Sequence, residues 1–271
     1  MGSTQTRLME MLTSTQLEAK WNELGSAPGG YTRVDPVHPL EVYIGYDGPG
    51  QRSLLLISDQ EPMGVPSSKS VLVQIGQRQD SRWAVTFRLV RPEQDEVFLQ
   101  LCYDLVESSR DQPDGPAGVD YVLDRYRRWH RLMERQSDAT LSVQARKGLV
   151  GELLFLREVL AEGMEPLVAV TGWIGPDCAD RDFVLPDRWV EVKAVGVASP
   201  TVTISSLEQL DAPPPGELAV YQLDPTAPTD EAGISLNALV DELKTTLRSA
   251  PSAWDLFCTK LLDRDYVPLR E

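Results

Sequence analysis

The stretch GPDCADRDFVLPDRWVEVKAV, residues 175–195, decides how the chain is read. Two short apolar runs, 182–185 and 189–195, flank Pro186-Asp187, a pair with turn chemistry. The spacing predicts a β-hairpin. Side chains alternate along a strand, so Glu191 and Lys193 share one face, and Val190, Val192 and Ala194 share the other, core-directed face. An even-numbered loop sets Asp182 opposite Glu191 on the same face, whereas an odd one turns it away. The even loop is the expectation, because it gathers two carboxylates and an ammonium. Carboxylate oxygens suit a hard cation such as Mg²⁺ or Mn²⁺. A lysine beside such an ion can orient a water or offset charge on a phosphate. The residues by themselves therefore point to metal-assisted phosphodiester chemistry.

A helix is predicted upstream, from about Ser142 to Leu160. Leu149, Leu153, Leu156 and Leu160 define its buried side, and Glu152 falls close to it. A lone carboxylate is costly to bury, so Glu152 calls for a cation, a metal or a donor. The plain alternative is a partly buried Glu152 with an arginine partner. For Glu191 and Lys193 the plain alternative is an exposed strand face.

Asp182, eight intervening residues, then Glu191-Val192-Lys193 resembles the PD-(D/E)XK nuclease superfamily, which has the restriction-endonuclease-like fold. The whole chain resembles a bacterial family of PD-(D/E)XK members encoded among restriction-like defence genes, most clearly over residues 140–210. The resemblance implies an α/β fold whose core is a mixed central sheet flanked by helices. It implies that Asp182, Glu191 and the Val192 carbonyl bind Mg²⁺ (or Mn²⁺) and that Lys193 is catalytic. It also implies a Glu on the helix before the sheet, pointing into the site, and Glu152 matches that position. Asp177 is the competing metal-binding Asp, since Pro176-Asp177 completes a literal Pro-Asp; Asp182 is preferred because it opens the strand. Asp180 is a third, weaker candidate. Gln209 is an accessory candidate, although Ser206 to Gln209 also reads as a capping box. The expected function is that of a Mg-dependent DNA endonuclease in bacterial restriction or antiphage defence, within a multi-protein system. DNA and other defence proteins are the implied partners, and a homodimer is plausible by analogy with restriction-like nucleases.

Composition limits these readings. The two histidines, His38 and His130, argue against zinc sites and Ser-His hydrolases. Three widely separated cysteines, 102, 178 and 258, read as free thiols of a cytoplasmic protein. No membrane span or signal peptide is expected. The net charge of −15 counts against an isolated high-affinity DNA binder but not against a nuclease recruited by partners, and it favours the alternative of a catalytically silent nuclease-fold subunit that binds partner proteins or DNA.

Outside the core, residues 1–118 are expected to form an antiparallel β-rich recognition or docking module, with strands near 41–46, 53–58, 70–76, 83–90 and 97–105. A helix is expected from about Ser14, with Ser14 as its cap. The Pro- and Gly-rich stretch 108–118 is read as a linker to a nuclease-like domain, 119–271. Residues 119–135 predict a helix with an apolar stripe of Val122, Tyr126, Trp129 and Met133. Arg125, Arg128, Arg131 and Arg135 are expected on its opposite side and, with Lys147, form a candidate phosphate-contacting surface. Between Asp120 and Lys147 there are seven Lys/Arg against four Asp/Glu, the local basic excess that the whole chain lacks. Strands are also expected at 167–171, 201–205 and 218–223, and closing helices at 235–247 and 253–262.

Overall fold

A computed structural model describes residues 12–25, 29–135, 141–177, 181–203, 216–227, 230 and 233–268. It is a mixed α/β protein of two compact units, the first ending at Ser137 and the second running from Asp138 to Pro268.

The first unit opens with helix α1, Ser14–Glu23. Its cap is Thr13 rather than Ser14. Thr13 and Gln16 exchange side-chain bonds with each other's backbone N–H, at 3.1 and 2.7 Å, closing a capping box. Five strands follow: β1 Tyr31–Arg33, β2 Val42–Gly48, β3 Gln51–Ser58, β4 Val71–Gln77 and β5 Trp83–Leu89. They form one antiparallel sheet in the order β1-β2-β3-β5-β4. Helices α2, Asp95–Ser108, and α3, Pro116–Arg135, complete the unit. Its core gathers Leu17, Trp21, Ile44, Leu54, Phe87, Phe98, Tyr126 and Trp129, all essentially removed from water. The tilted Phe87–Tyr126 pair, 4.9 Å between ring centroids, joins the sheet to α3.

Two expectations fail here. Residues 97–105 are helical in α2, not a strand. Phe98, Leu101, Cys102 and Leu105 repeat at helical spacing and are all buried, while Asp95 and Glu96 favour the positive end of the helix dipole. The division between units also falls at 137/138, not at 118/119, because α3 packs its apolar stripe into the first unit.

The second unit contains α4 Val143–Ala161, α5 Pro166–Gly172, β6 Phe183–Val184, β7 Trp189–Val195, β8 Gly216–Gln222, α6 Leu236–Leu247 and α7 Pro251–Asp263. Among the described residues its strands lie in the order β6-β7-β8, with β6 antiparallel and β8 parallel to β7. Residues 167–171, expected as a strand, form α5. Pro166 starts this helix and the Glu165 carboxylate caps the Val168 N–H at 2.8 Å, which outweighs the β preference of its valines. Residues 201–203 are not in a strand; the rest of that expected strand lies outside the described residues.

Helix α4 lies on the Val190/Val192/Ala194 face of β7. Gly151 makes the approach close: a Cβ there would stand 3.2 Å from the Ala194 Cβ and 3.3 Å from the Val192 Cγ1. Phe155 of α4 meets Phe183 edge-on at 4.7 Å. The aromatic and aliphatic contacts between α4 and the hairpin fix the height at which Glu152 leaves the helix. Among the described residues no helix is long and apolar enough to cross a membrane.

Candidate active site

In the hairpin, Phe183 pairs with Val190 and Val184 with Trp189, leaving 185–188 as an even-numbered loop closed by a 2.8 Å bond from the Leu185 N–H to the Arg188 carbonyl. Continued by one residue, this register sets Asp182 across from Glu191. Asp182 is held on three sides. Its Oδ2 accepts the Val192 N–H at 2.8 Å, and its carbonyl accepts the N–H groups of Ile174 and Gly175 at 2.8 and 3.0 Å.

Glu191 is 3% exposed, and Lys193 donates to its Oε1 at 2.6 Å. Both project from the face of β7 away from α4, as alternation requires. Glu152 is 5% exposed. Trp173 Nε1 donates to its Oε2 at 2.7 Å, and the Arg264 guanidinium pairs with its Oε1. The Trp173 carbonyl in turn accepts from the buried Lys260 ammonium. Lys260 and Arg264 lie one helical turn apart at the end of α7, so both reach the same side of the unit.

Gly175 shows how tightly these groups converge. A Cβ on this glycine would lie 2.9 Å from Glu152 Oε2, 3.0 Å from Arg264 Nη2 and 3.1 Å from Asp182 Oδ1. The missing side chain leaves a small cradle faced by two carboxylates and one guanidinium. Burial, then the Glu152 charge, push the Asp182 carboxyl up to about 6, and Glu191 adds to the effect; the Val192 hydrogen bond and Arg264 pull the other way without cancelling it. Like charges crowded at a partly buried point call for a cation.

A hard divalent ion fits this chemistry. Mg²⁺ takes one or two carboxylates and completes its octahedron with water and phosphate oxygens. The cradle over Gly175 offers two carboxylate oxygens from different elements. Among the described residues no three His, Cys, Asp or Glu side chains are grouped to hold an ion by themselves. An ion held here would take those two oxygens and fill its remaining positions with other oxygen ligands, water and phosphate among them.

The other expected site residues are distributed differently. Val192 turns its side chain toward α4 and supplies its N–H to Asp182. Asp177 ends a short 3₁₀ turn, Gly175–Asp177, and its side chain lies outside the described residues, as do Asp180 and Gln209. Lys147 is half-buried on α4, with its Nζ 3.9 Å from the position of a Gly196 Cβ, beside the end of β7.

The arginine face of α3 needs correction. Arg125 is buried, and its guanidinium makes two 2.8 Å bonds to Asp104. At about 100° per residue it stands only roughly 60° from Val122, on the flank of the apolar stripe rather than opposite it. Arg125 is therefore a structural cation of the first unit and not a phosphate contact. Arg131 is exposed, Arg128 is half-buried, and Arg135 closes the helix.

Sequence reasoning missed Arg264, Trp173 and Lys260. The i, i+4 spacing of Lys260 and Arg264 was visible, but nothing local ties either residue to Glu152, more than a hundred positions earlier.

A helix whose buried Glu faces an acidic hairpin, with Glu-Val-Lys on the second strand, is the arrangement that the PD-(D/E)XK resemblance implies. Over residues 17–271 the chain matches the family described as "Putative PD-(D/E)XK family member, (DUF4420)", and it belongs to that family. Membership points to a nuclease-type function, in a class that generally uses divalent metals. No curated protein and no solved structure matches the chain.

Proposed function

We propose that the protein is a metal-dependent deoxyribonuclease with a restriction-endonuclease-like core, acting in bacterial restriction or antiphage defence within a multi-protein system. The observation that carries this reading is the convergence of Glu152 and Asp182 over Gly175, beside the Glu191–Lys193 pair. The order of helix α4, hairpin β6–β7 and parallel strand β8 supports it.

Asp182, Glu191 and the Val192 carbonyl would draw together to hold Mg²⁺ or Mn²⁺, with Glu152 completing the set. The bound ion would polarise a phosphate oxygen and make a water more acidic. Trp173 orients Glu152 through its indole N–H, and Lys260 steadies Trp173 from behind. Lys193, tethered to Glu191 at 2.6 Å, positions the attacking water and offsets charge on the phosphate. The water oxygen bonds to phosphorus and gives its proton to solvent, the phosphorus–oxygen bond to the leaving nucleotide breaks, and the leaving oxygen takes up a proton from solvent. Lys147 is a candidate contact to the DNA backbone, as are Arg128, Arg131 and Arg135 of α3. The acidic net charge fits DNA delivered by partner proteins in the cytoplasm, with a homodimer as one arrangement.

The test is cleavage of plasmid and oligonucleotide DNA with Mg²⁺ or Mn²⁺, alone and with the products of neighbouring genes. Wild type should cut and Asp182→Ala/Lys193→Ala should not. Equal cutting by both would reject the site. A second reading, a nuclease-fold subunit without catalysis, is favoured by one observation: protein donors already bond both Glu152 oxygens. No cleavage under any of these conditions, together with no metal-induced rise in Tm, would support that reading.

A further inference from the structure

Arg264 is not part of the PD-(D/E)XK motif, yet it reaches the centre of the site. It caps the C-terminus of α7, where its N–H is shared by the carbonyls of Lys260, Leu261 and Leu262. Its backbone is thereby anchored, while its side chain is 32% exposed. The guanidinium pairs with Glu152 Oε1, and its Nη2 approaches the point over Gly175 that Glu152 Oε2 and Asp182 Oδ1 also face. A delocalised monovalent cation thus stands at the place toward which two carboxylates are directed.

The two bonds to Glu152 differ in kind. Trp173 is fully buried and holds Oε2 with a rigid indole N–H. Arg264 holds Oε1 with a long, partly solvated arm. If the arginine leaves, Oε1 loses its cation, while the indole still orients the carboxylate with Oε2 facing the cradle.

We propose, on the basis of the metal-dependent reading above, that Arg264 is a positioning residue that stands in for the divalent ion: it neutralises Glu152 in the metal-free protein and yields that carboxylate when the ion binds. Linkage makes the antagonism reciprocal. Whatever the Arg264–Glu152 pair contributes to the metal-free state is subtracted from metal affinity, and bound metal weakens the pair by the same factor. Arg264 therefore sets the metal concentration at which the site loads.

The experiment is Mn²⁺ titration of the full chain by calorimetry, with Tm measured with and without Mn²⁺. The set is wild type, Arg264→Gln, Arg264→Lys, Glu152→Gln and the Arg264→Gln/Glu152→Gln double variant. Arg264→Gln should bind Mn²⁺ more tightly by about fivefold or more. Its metal-free Tm should fall while its metal-induced rise in Tm exceeds that of wild type. Arg264→Lys, which keeps the charge and should fold if the glutamine variant does not, should stay near wild-type affinity. In the Glu152→Gln background the Arg264→Gln change should have no effect on affinity. A merely structural ion pair gives the opposite result, with Arg264→Gln binding Mn²⁺ equally or more weakly, and that result overturns the proposal. Wild type that binds Mn²⁺ normally would leave the nuclease reading intact in that case. Absence of Mn²⁺ binding in every variant would overturn the metal reading and this inference with it.

Discussion

Each unit buries a glutamate against an arginine with an aspartate close by, and the two clusters end in opposite electrostatic states. In the first unit Arg110 donates to Glu107 at 2.6 and 3.2 Å and to Asp35 at 2.6 Å, so one guanidinium ties both carboxylates. Burial works against the charged form of Asp35, but the bonds from Arg110 and the Val37 N–H hold its carboxyl below the usual range. In the second unit Arg264 engages Glu152, while Asp182 nearby is left with burial and two neighbouring carboxylates that outweigh the guanidinium, so its carboxyl is pushed up to about 6. The first cluster is saturated and supports the fold. In the second, burial and the neighbouring carboxylates make Asp182 hard to ionise beside the Gly175 cradle, a cost that a bound cation would relieve. Similar residue types can be scaffold or chemistry, and what separates them is whether hydrogen bonds from the cation offset the burial of the aspartate.

Four variants would break or sharpen this contrast. The largest effect belongs to Lys193→Ala, which should reduce metal-dependent DNA cleavage by about a thousandfold without unfolding the chain. Retained cleavage in a quantitative nicking assay would remove Lys193 from the chemistry. Next, Arg110→Ala strands Glu107 and Asp35 without their cation and should cost about 3 kcal/mol in urea unfolding of the first unit. A loss below about 1 kcal/mol would make that cluster as expendable as a surface ion pair.

Asp182→Asn should act in the other direction. The folded-state carboxyl lies above its ordinary value of 3.8, so its ionisation costs stability. That cost is full above about pH 6, shrinks as pH falls toward 3.8, and is gone below it. At pH 7.5 the metal-free variant should be more stable than wild type by on the order of 2 kcal/mol, after discounting for solvent screening. At pH 4 the gap should nearly close. Equal urea midpoints at pH 7.5 would show that burial and the neighbouring carboxylates do not penalise the charged Asp182. The smallest effect is expected of Gly175→Ala. Its methyl would press on Glu152, Arg264 and Asp182, and Mn²⁺ affinity measured by calorimetry should weaken by about tenfold. Unchanged affinity would place the ion away from the cradle.

Much of the site was readable because its parts are local. Pro186-Asp187 sits between two apolar runs, and an even loop is enough to bring Asp182 opposite Glu191. Glu152 could be singled out as a carboxylate among buried leucines, since helical spacing alone assigns it to that side. Errors arose where local pattern was ambiguous. The 97–105 run is apolar enough to suggest a strand although its spacing is helical, and 167–171 carries two valines although Pro166 and Glu165 start a helix there. The two sides of α3 are not sharply divided: its flank is wide enough to bury Arg125, which finds Asp104.

By itself the sequence determined the hairpin, the faces of β7, the buried glutamate of α4 and the resemblance that the family match bears out, because each depends on neighbours a few residues apart. Only the tertiary structure decided that Arg264 and Lys260 reach Glu152 and Trp173, that Gly175 opens a cradle between carboxylates, and that α3 belongs to the first unit. Those relations join residues far apart in the chain. Close packing and the pairing of buried charge, neither of which has a period in the sequence, bring them together.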